Sequence, residues 1–305
     1  MAKLTIFTPT YNNGNLLKNL YQSLLKQTCQ NFEWLIVDDG SNDETKTIVS
    51  TFQKNADFKI RYFYQENKGK YKARYNAIQQ CKTKLFCCID ADIILNENLV
   101  KILLEEWECF QSKTYIIGIG MPIIYRHYND LSKTIGGSFP KKTPESGKLS
   151  ELTSKYGYHG ETLYMFATNI LKKLTIPKTP KAEKFWKDSA FYFPLNKEYK
   201  VHWLNIPAGE SVYQPGGLSD NRLNNEINSP NLTLLSYKKG AIYHPLFLHK
   251  IANCCMYITW KKLLKMKDRF GGRIPLPVYL PAYLMEPVYC RKFRKNIKSC
   301  LKNKT

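Results

Sequence analysis

Long apolar runs are missing from this chain. Nowhere do about 18 apolar residues follow one another without interruption, the length a membrane-crossing helix needs, so a spanning protein is not expected. The nine cysteines include no C-x-x-C pair; their odd number and mostly apolar neighbours predict reduced, buried side chains rather than a disulfide framework. The five histidines, at 127, 159, 202, 244 and 249, are scattered singly, which argues against a zinc site. No basic stretch leading into an apolar segment opens the chain. "MAKLTIFTPTYNNG" enters a strand pattern at once, and the expected location is cytoplasmic. Internal repeats are absent as well.

Acidic residues are scarce beside basic ones. Asp plus Glu number 25 against 46 Lys plus Arg, a net charge of +21, which calls for an anionic partner: nucleic acid, a membrane surface or a phosphorylated ligand. With 43% hydrophobic and 13% aromatic residues the chain is not disordered, and 305 residues suffice for one large domain with an appendage or for two ordinary ones.

What is present is a repeated strand–loop–helix pattern. "KLTIFTP" is an apolar run closed by Pro9 and followed by Leu16, Leu17, Leu20, Tyr21, Leu24 and Leu25 at helical spacing. "FEWLIVDDGS" repeats it, with Ser41, Asn42 or Asp43 as the helix cap, and "KIRYFYQE" pairs with the helix "KYKARYNAIQQC". "KLFCCIDADI" pairs with a helix whose apolar face is Leu99, Ile102, Leu103 and Phe110. Four strands alternating with four helices predict an α/β fold with a mostly parallel sheet covered on both faces, in which ligands bind at the carboxyl ends of the strands. The polar residues that break the apolar pattern lie at those ends: Thr8 to Tyr11, Asp38 and Asp39, Glu66 to Lys70, and Asp90 to Asp92. The polar stretch 126–160 reads as a mobile loop region, and order returns with "ETLYMFATNILKKL" and "EKFWKDSAFYFPL".

Asp90 and Asp92 raise a question of charge. Alternation along a strand puts both on one side, and two carboxylates so placed repel unless a cation lies near them. Hard oxygen ligands suit Mg²⁺ or Mn²⁺, which take one or two carboxylates together with water and substrate phosphates. The competing reading is a turn with two solvated carboxylates, since Asp is common at strand ends.

"TPTYNN", "VDDGSNDET", "ENKGKYKARYNA" and "IDADI", in this order and spacing, resemble family 2 glycosyltransferases of the GT-A fold over most of the first 240 residues. The resemblance implies Thr8, Pro9, Tyr11 and Asp39 around the base and ribose of a nucleotide sugar, usually a uridine one. It places Asp90 and Ala91 near the sugar nucleotide, and Asp92 with Asp90 on the metal. Tyr11 offers a stacking face, Asp39 an acceptor for a base N–H, and Pro9 fixes the turn that presents them. The family's frequent "GGKH-x-A-x-N" pattern is here "KYKARYN", one residue longer; Lys70 is the candidate for diphosphate or uracil contact, with Lys72 and Arg74 beside it. "EKFWKDSAFYFPL" resembles the segment that carries the catalytic base, so Asp188 falls on the acid position, Ser189 where some relatives keep a second carboxylate, and Glu183 is the fallback. "ESVYQPGGLSDNR" resembles a bacterial family segment in which Gly216 and Gly217 permit close backbone approach. The implied reaction is inverting, metal-dependent transfer of a hexosyl or N-acetylhexosaminyl group from a UDP-sugar to a glycan or lipid-linked hydroxyl, in capsule, exopolysaccharide or lipopolysaccharide assembly.

Domains are expected at 1–240, with a nucleotide-sugar half to about 125 and an acceptor half after it, and at 241–305, a basic, aromatic-rich helical segment. Past Trp260 the cations run from Lys261 to Lys304 against only Asp268 and Glu286, and four prolines between 275 and 287 deny a spanning helix. Such a segment suits the anionic inner face of the cytoplasmic membrane; a solvated tail explains it as well. A nucleotidyltransferase would carry a Gly-rich loop after the first strand, which "TPTYNNGN" lacks. Acids at the strand ends argue against a polyanion site; the alternatives are an inactive scaffold of the same fold or a basic polyanion-binding protein.

Overall fold

"LTIFTPT" and "FEWLIVD" are apolar on both faces, and a run of that kind is stable only inside a covered sheet. They form β1 (Leu4–Thr10) and β2 (Phe32–Asp38) of the computed structural model, which describes residues 2–127, 129–212 and 221–302. Between them lies α1 (Gly14–Leu25), and α2 (Thr45–Asn55), β3 (Lys59–Tyr64), α3 (Lys70–Gln80) and β4 (Leu85–Cys88) continue the alternation. There follow β5 (Ile93–Leu95), α4 (Leu99–Phe110), β6 (Ile116–His127), β7 (Asp130–Gly136), β8 (Ser146–Gly147), α5 (Glu151–Ser154), β9 (Thr162–Ala167), α6 (Thr168–Leu171) and α7 (Asp188–Tyr192). The chain closes with β10 (Lys200–Trp203), β11 (Gly209–Val212), α8 (Arg222–Asn228), α9 (Pro230–Tyr243), α10 (Phe247–Leu263), α11 (Leu276–Tyr289) and α12 (Arg291–Lys302).

Two compact units result, the first made of Met1–Gly147, Lys155–Thr175 and Tyr199–Gln214. Its strand order is β3-β2-β1-β4-β9-β6-β10-β8. The first four strands are parallel, as their alternation with helices requires. Beyond them the sheet is mixed: β9 is antiparallel to both β4 and β6, while β10 and β11 each pair with β6 in parallel. On the helix side, Leu17, Leu20 and Leu24 of α1 are fully buried against Leu4, Ile6, Trp34 and Ile36, each such side chain contributing about 1.5–3 kcal/mol. Part of the stretch expected as a mobile loop region forms regular structure: β7 folds back on β6 as an antiparallel partner, and β8 pairs with β10.

The second unit comprises Lys148–Ser154, Ile176–Glu198 and Pro215–Thr305. A boundary at residue 240 is therefore corrected. The "EKFWKDSAFYFPL" segment and α9 group with the C-terminal helices, because Leu234, Tyr237 and Ala241 of α9 share one core with Cys254, Ile258 and Trp260 of α10 and Val278 and Ala282 of α11. Pro281 and Pro287 lie inside α11 without ending it. All nine cysteines are free; Cys109 is exposed, against the expectation of burial.

His244, at the end of α9, is buried, and its Nδ1 accepts from the Leu246 N–H at 3.1 Å while its ring stacks on His249 at 4.7 Å. A proton on Nδ1 would destroy that bond. Burial first, then the neighbouring His249, push the His244 pKa down to about 4. Because an unfolded-chain histidine titrates near 6.5, the unfolded state holds more protons between these values, and stability falls as pH drops from about 6.5 to 4, at no more than about 1.4 kcal/mol per pH unit. Urea unfolding at pH 7.5 and pH 5 should show this loss, and His244→Gln, which keeps an acceptor but cannot titrate, should reduce it.

Candidate functional site

Asp90 and Asp92 do not lie within a strand. β4 ends at Cys88, and residues 89–92 form a turn into β5, so the pair projects from the tip of the sheet where charge is tolerated. Lys70, at the first turn of α3, places its Nζ 2.7 Å from Asp90 Oδ2. That ion pair is the neutralising partner the sequence demanded, supplied by the chain itself. Ala91, between the two acids, is buried. Asp92 accepts from the Ser211 hydroxyl at 2.9 Å, and burial together with the Asp90 charge holds its carboxyl above the ordinary range.

Three residues beyond the sequence reading join this site. Ser211 of β11 pairs in register with Ile93 of β5 on one side and Tyr125 of β6 on the other. The Tyr125 hydroxyl in turn donates to Glu161, whose backbone carbonyl accepts from Ile123 at the start of β9. Desolvation and the Asp90 charge hold Glu161 above the usual carboxylate range, and burial first, then Glu161, with smaller contributions from Asp92 and Asp90, raise the Tyr125 hydroxyl. A third carboxylate thus feels the acid pair. No local signal announces it; only strand pairing across more than 60 residues brings it there.

The loops after β1 and β2 are knitted together beside this cluster. The Asp39 N–H donates to the Thr10 carbonyl, Asn12 N–H to Ser41 Oγ, and Asn42 N–H to Asn12 Oδ1, all within 2.9 Å. Asp38 is spent on the turn, accepting from Ser41 N–H and the Tyr62 hydroxyl. Asp39 is buried and accepts from Lys68 N–H at 2.8 Å, Gly69 N–H at 2.7 Å and Gln65 Nε2 at 2.6 Å, so its carboxylate shapes the loop that delivers Lys70. Gly40 is required here: φ is +89° and a Cβ would meet the Asn67 backbone nitrogen at 2.8 Å. Tyr11 keeps 45% of its surface open, a ring face available for stacking, and Pro9 is partly exposed.

Two expected contacts are corrected. Thr8 is fully buried, with its hydroxyl 3.0 Å from Trp34 Nε1, and has no surface to offer a ligand. Arg74 is buried on the inner face of α3, so Lys70 is the cation of this segment that meets the acid pair.

In the second unit, Asp188 opens α7 as an exposed residue, and Ser189 beside it is exposed as well. The fallback base Glu183 is buried and committed: its carboxylate accepts from Asn231 N–H, Asn231 Nδ2 and Leu232 N–H, capping the start of α9. Lys187, immediately before Asp188, pairs with Glu226 at 2.9 Å and lies 3.7 Å over the Tyr237 ring, with burial pushing its pKa down to about 8. The Gly216–Gly217 segment lies outside the described residues.

Residues 5–158 match the family described as Glycosyl transferase family 2. The chain belongs to that family. Glycosyltransferase GlyG of Streptococcus pneumoniae serotype 4 is 35% identical over 104 residues, 34% of this chain and 34% of GlyG, so the match spans about a third of that relative's length. The GalNAc(5)-diNAcBac-PP-undecaprenol beta-1,3-glucosyltransferase of Campylobacter jejuni is 27% identical over 226 residues, 70% of this chain and 71% of that one. Among solved structures, S. aureus TarS 1-349 in complex with UDP-GlcNAc superposes with a TM-score of 0.59 at 17% identity, covering 97% of this chain and 83% of TarS 1-349. The mannosyltransferase PcManGT of Pyrobaculum calidifontis, in complex with GDP-Man and Mn²⁺, gives 0.55 at 15% identity over 97% and 86% of the two chains. At these identities the likeness is one of fold, the GT-A glycosyltransferase fold.

Within this family 2 glycosyltransferase the loop that carries Lys70 hangs on one carboxylate. Asp39→Ala would leave the Lys68 and Gly69 N–H groups without their acceptor, at about 1–3 kcal/mol each. Denaturant unfolding should show a loss of about 2–5 kcal/mol, with Asp39→Asn falling between it and the parent because one oxygen still accepts.

Proposed function

We propose that the protein transfers a hexosyl or N-acetylhexosaminyl group from a UDP-linked sugar to a hydroxyl of a glycan or lipid-linked acceptor, with inversion, in cell-surface polysaccharide synthesis. The observation that carries this reading is the Asp90–Asp92 turn at the tip of β4, faced by Lys70 and Ser211, in a chain of this family. The UDP-GlcNAc complex of TarS and the undecaprenol-linked substrate named for the Campylobacter enzyme support the donor and acceptor classes.

Divalent Mn²⁺ or Mg²⁺ fits the acid pair. Two hard carboxylates one residue apart, with Asp92 held above its ordinary range by burial and by Asp90, are a donor set such cations take together with phosphate oxygens. Among the described residues no group of three or more His, Cys, Asp or Glu is disposed to hold a metal ion, and a cation at the acid pair would take further oxygen ligands from phosphate and water. Asp92 and Asp90 would hold the ion, which when bound offsets the charge growing on the departing nucleoside diphosphate. The Mn²⁺ complex of PcManGT supports the same choice.

The chain's own groups do the rest. Tyr11 and Pro9 bound the base, the loop shaped by the buried Asp39 carboxylate meets the ribose and uracil edge, and the Lys70 ammonium stabilises the diphosphate. Asp188 takes the proton from the acceptor hydroxyl as that oxygen attacks the anomeric carbon opposite the leaving group; no covalent intermediate forms. Lys187, pinned by Glu226, fixes the start of α7 and hence Asp188.

Incubation with a panel of UDP-sugars, Mn²⁺ and an acceptor extract, with UDP release as the readout, tests the reading; no release from any donor would defeat it. Asp188→Asn should lower kcat by about 10²–10⁴-fold with donor affinity unchanged, and near-normal turnover would remove Asp188 from its role. Calorimetry should find that Mn²⁺ binds weakly alone and tightly with UDP present, and that Asp92→Asn abolishes the difference. Tight binding of Mn²⁺ without nucleotide would show a complete protein shell elsewhere.

A further inference from the structure

Helix α11 is the apolar anomaly of the second unit. Leu276, Leu280, Leu284 and Val288 form one row at four-residue spacing and are 65%, 54%, 77% and 82% exposed, with Tyr283 and Met285 open beside them. Burying these side chains is what helices ordinarily do, and a soluble surface seldom carries so many on one element. The helix has one acid, Glu286, and it is turned wholly inward, accepting from Thr259 Oγ1 at 2.7 Å and Lys262 Nζ at 2.9 Å. Its exposed face therefore bears no charge at all.

Cations surround that face. Arg273 precedes it, Arg291 and Lys292 follow it, all three exposed, and the Lys262 ammonium sits 5.0 Å over the Tyr283 ring. In α12, Lys295 and Lys298 are exposed while Ile297 is buried. The other acid of this region, Asp268, is likewise consumed internally by Lys238 and the Tyr257 hydroxyl. An apolar strip flanked by the exposed cations Arg273, Arg291, Lys292, Lys295 and Lys298 repels a second copy of itself. It complements a surface that is apolar beneath and anionic above.

We propose that α11 is a docking face for an anionic lipid bilayer, lying in the interface with its leucine row in the acyl region and the flanking Lys and Arg on the headgroups. Fourteen residues rise about 21 Å, short of the roughly 30 Å hydrocarbon core, so the helix lies along the membrane and does not cross it. Among the described residues no helix is long and apolar enough to cross. The inference is independent of glycosyl transfer, since it concerns only where the protein sits.

The full chain is sedimented with extruded phosphatidylcholine vesicles, with and without 30% phosphatidylglycerol, in 0.1 M and 0.5 M NaCl. Binding should be strong only with the anionic lipid and weaken several-fold in high salt. Leu284→Glu/Val288→Glu, at exposed positions, should lose at least tenfold in vesicle affinity with an unchanged circular dichroism spectrum. Lys295→Glu/Lys298→Glu should lose binding while keeping the apolar row, which guards against a folding artefact in the first variant. No binding of the parent chain to anionic vesicles would overturn the proposal. So would unchanged binding of both variants, or light scattering that shows a dimer dispersed by Leu284→Glu/Val288→Glu, which would assign the face to a second copy.

Discussion

Repulsion between Asp90 and Asp92 is the constraint around which the first unit is arranged. Two like charges one residue apart cannot be packed into a sheet, so β4 stops at Cys88 and delivers them into a turn. Lys70 is then needed at 2.7 Å, which fixes where α3 must begin, and the loop before α3 is in turn held by the buried Asp39 carboxylate. Gly40 and Gly69, both with positive φ, let the two loops approach closely enough for this. The donor-side geometry is thus a chain of dependence running from one electrostatic problem through three loops at the carboxyl ends of parallel strands.

A second set of carboxylates does structural work away from that tip. Glu183 caps α9, Glu226 holds Lys187, and Glu286 and Asp268 anchor the C-terminal helices from inside. Three of these acids are matched to a lysine, Lys187, Lys238 and Lys262, so each pairing takes one charge of each sign together.

Several expectations rested on local pattern and failed where pattern is blind. "IDADI" read as alternating strand, yet charge repulsion made it a turn. Thr8 read as a ligand contact, yet the Trp34 indole at 3.0 Å claimed its hydroxyl. Arg74 stands in a basic segment, yet α3 turned it inward. Glu183 stood as the fallback to Asp188 in sequence; three hydrogen bonds to α9 commit its carboxylate to capping that helix. The polar stretch after Tyr125 looked like loop because its strands face solvent, and exposed antiparallel ribbons need no apolar alternation.

The amino-acid sequence by itself determined the four parallel strand–helix units, the edge at which polar residues gather, the acid pair and Lys70, because these depend on periodicity and on residues close in the chain. Only the tertiary structure decided that β9 inserts antiparallel between β4 and β6, that Ser211, Tyr125 and Glu161 join the acid pair, and that α9 packs with the C-terminal helices. Those outcomes depend on pairing across long loops, whose register is set by total burial and hydrogen-bond satisfaction and leaves no mark within any single segment.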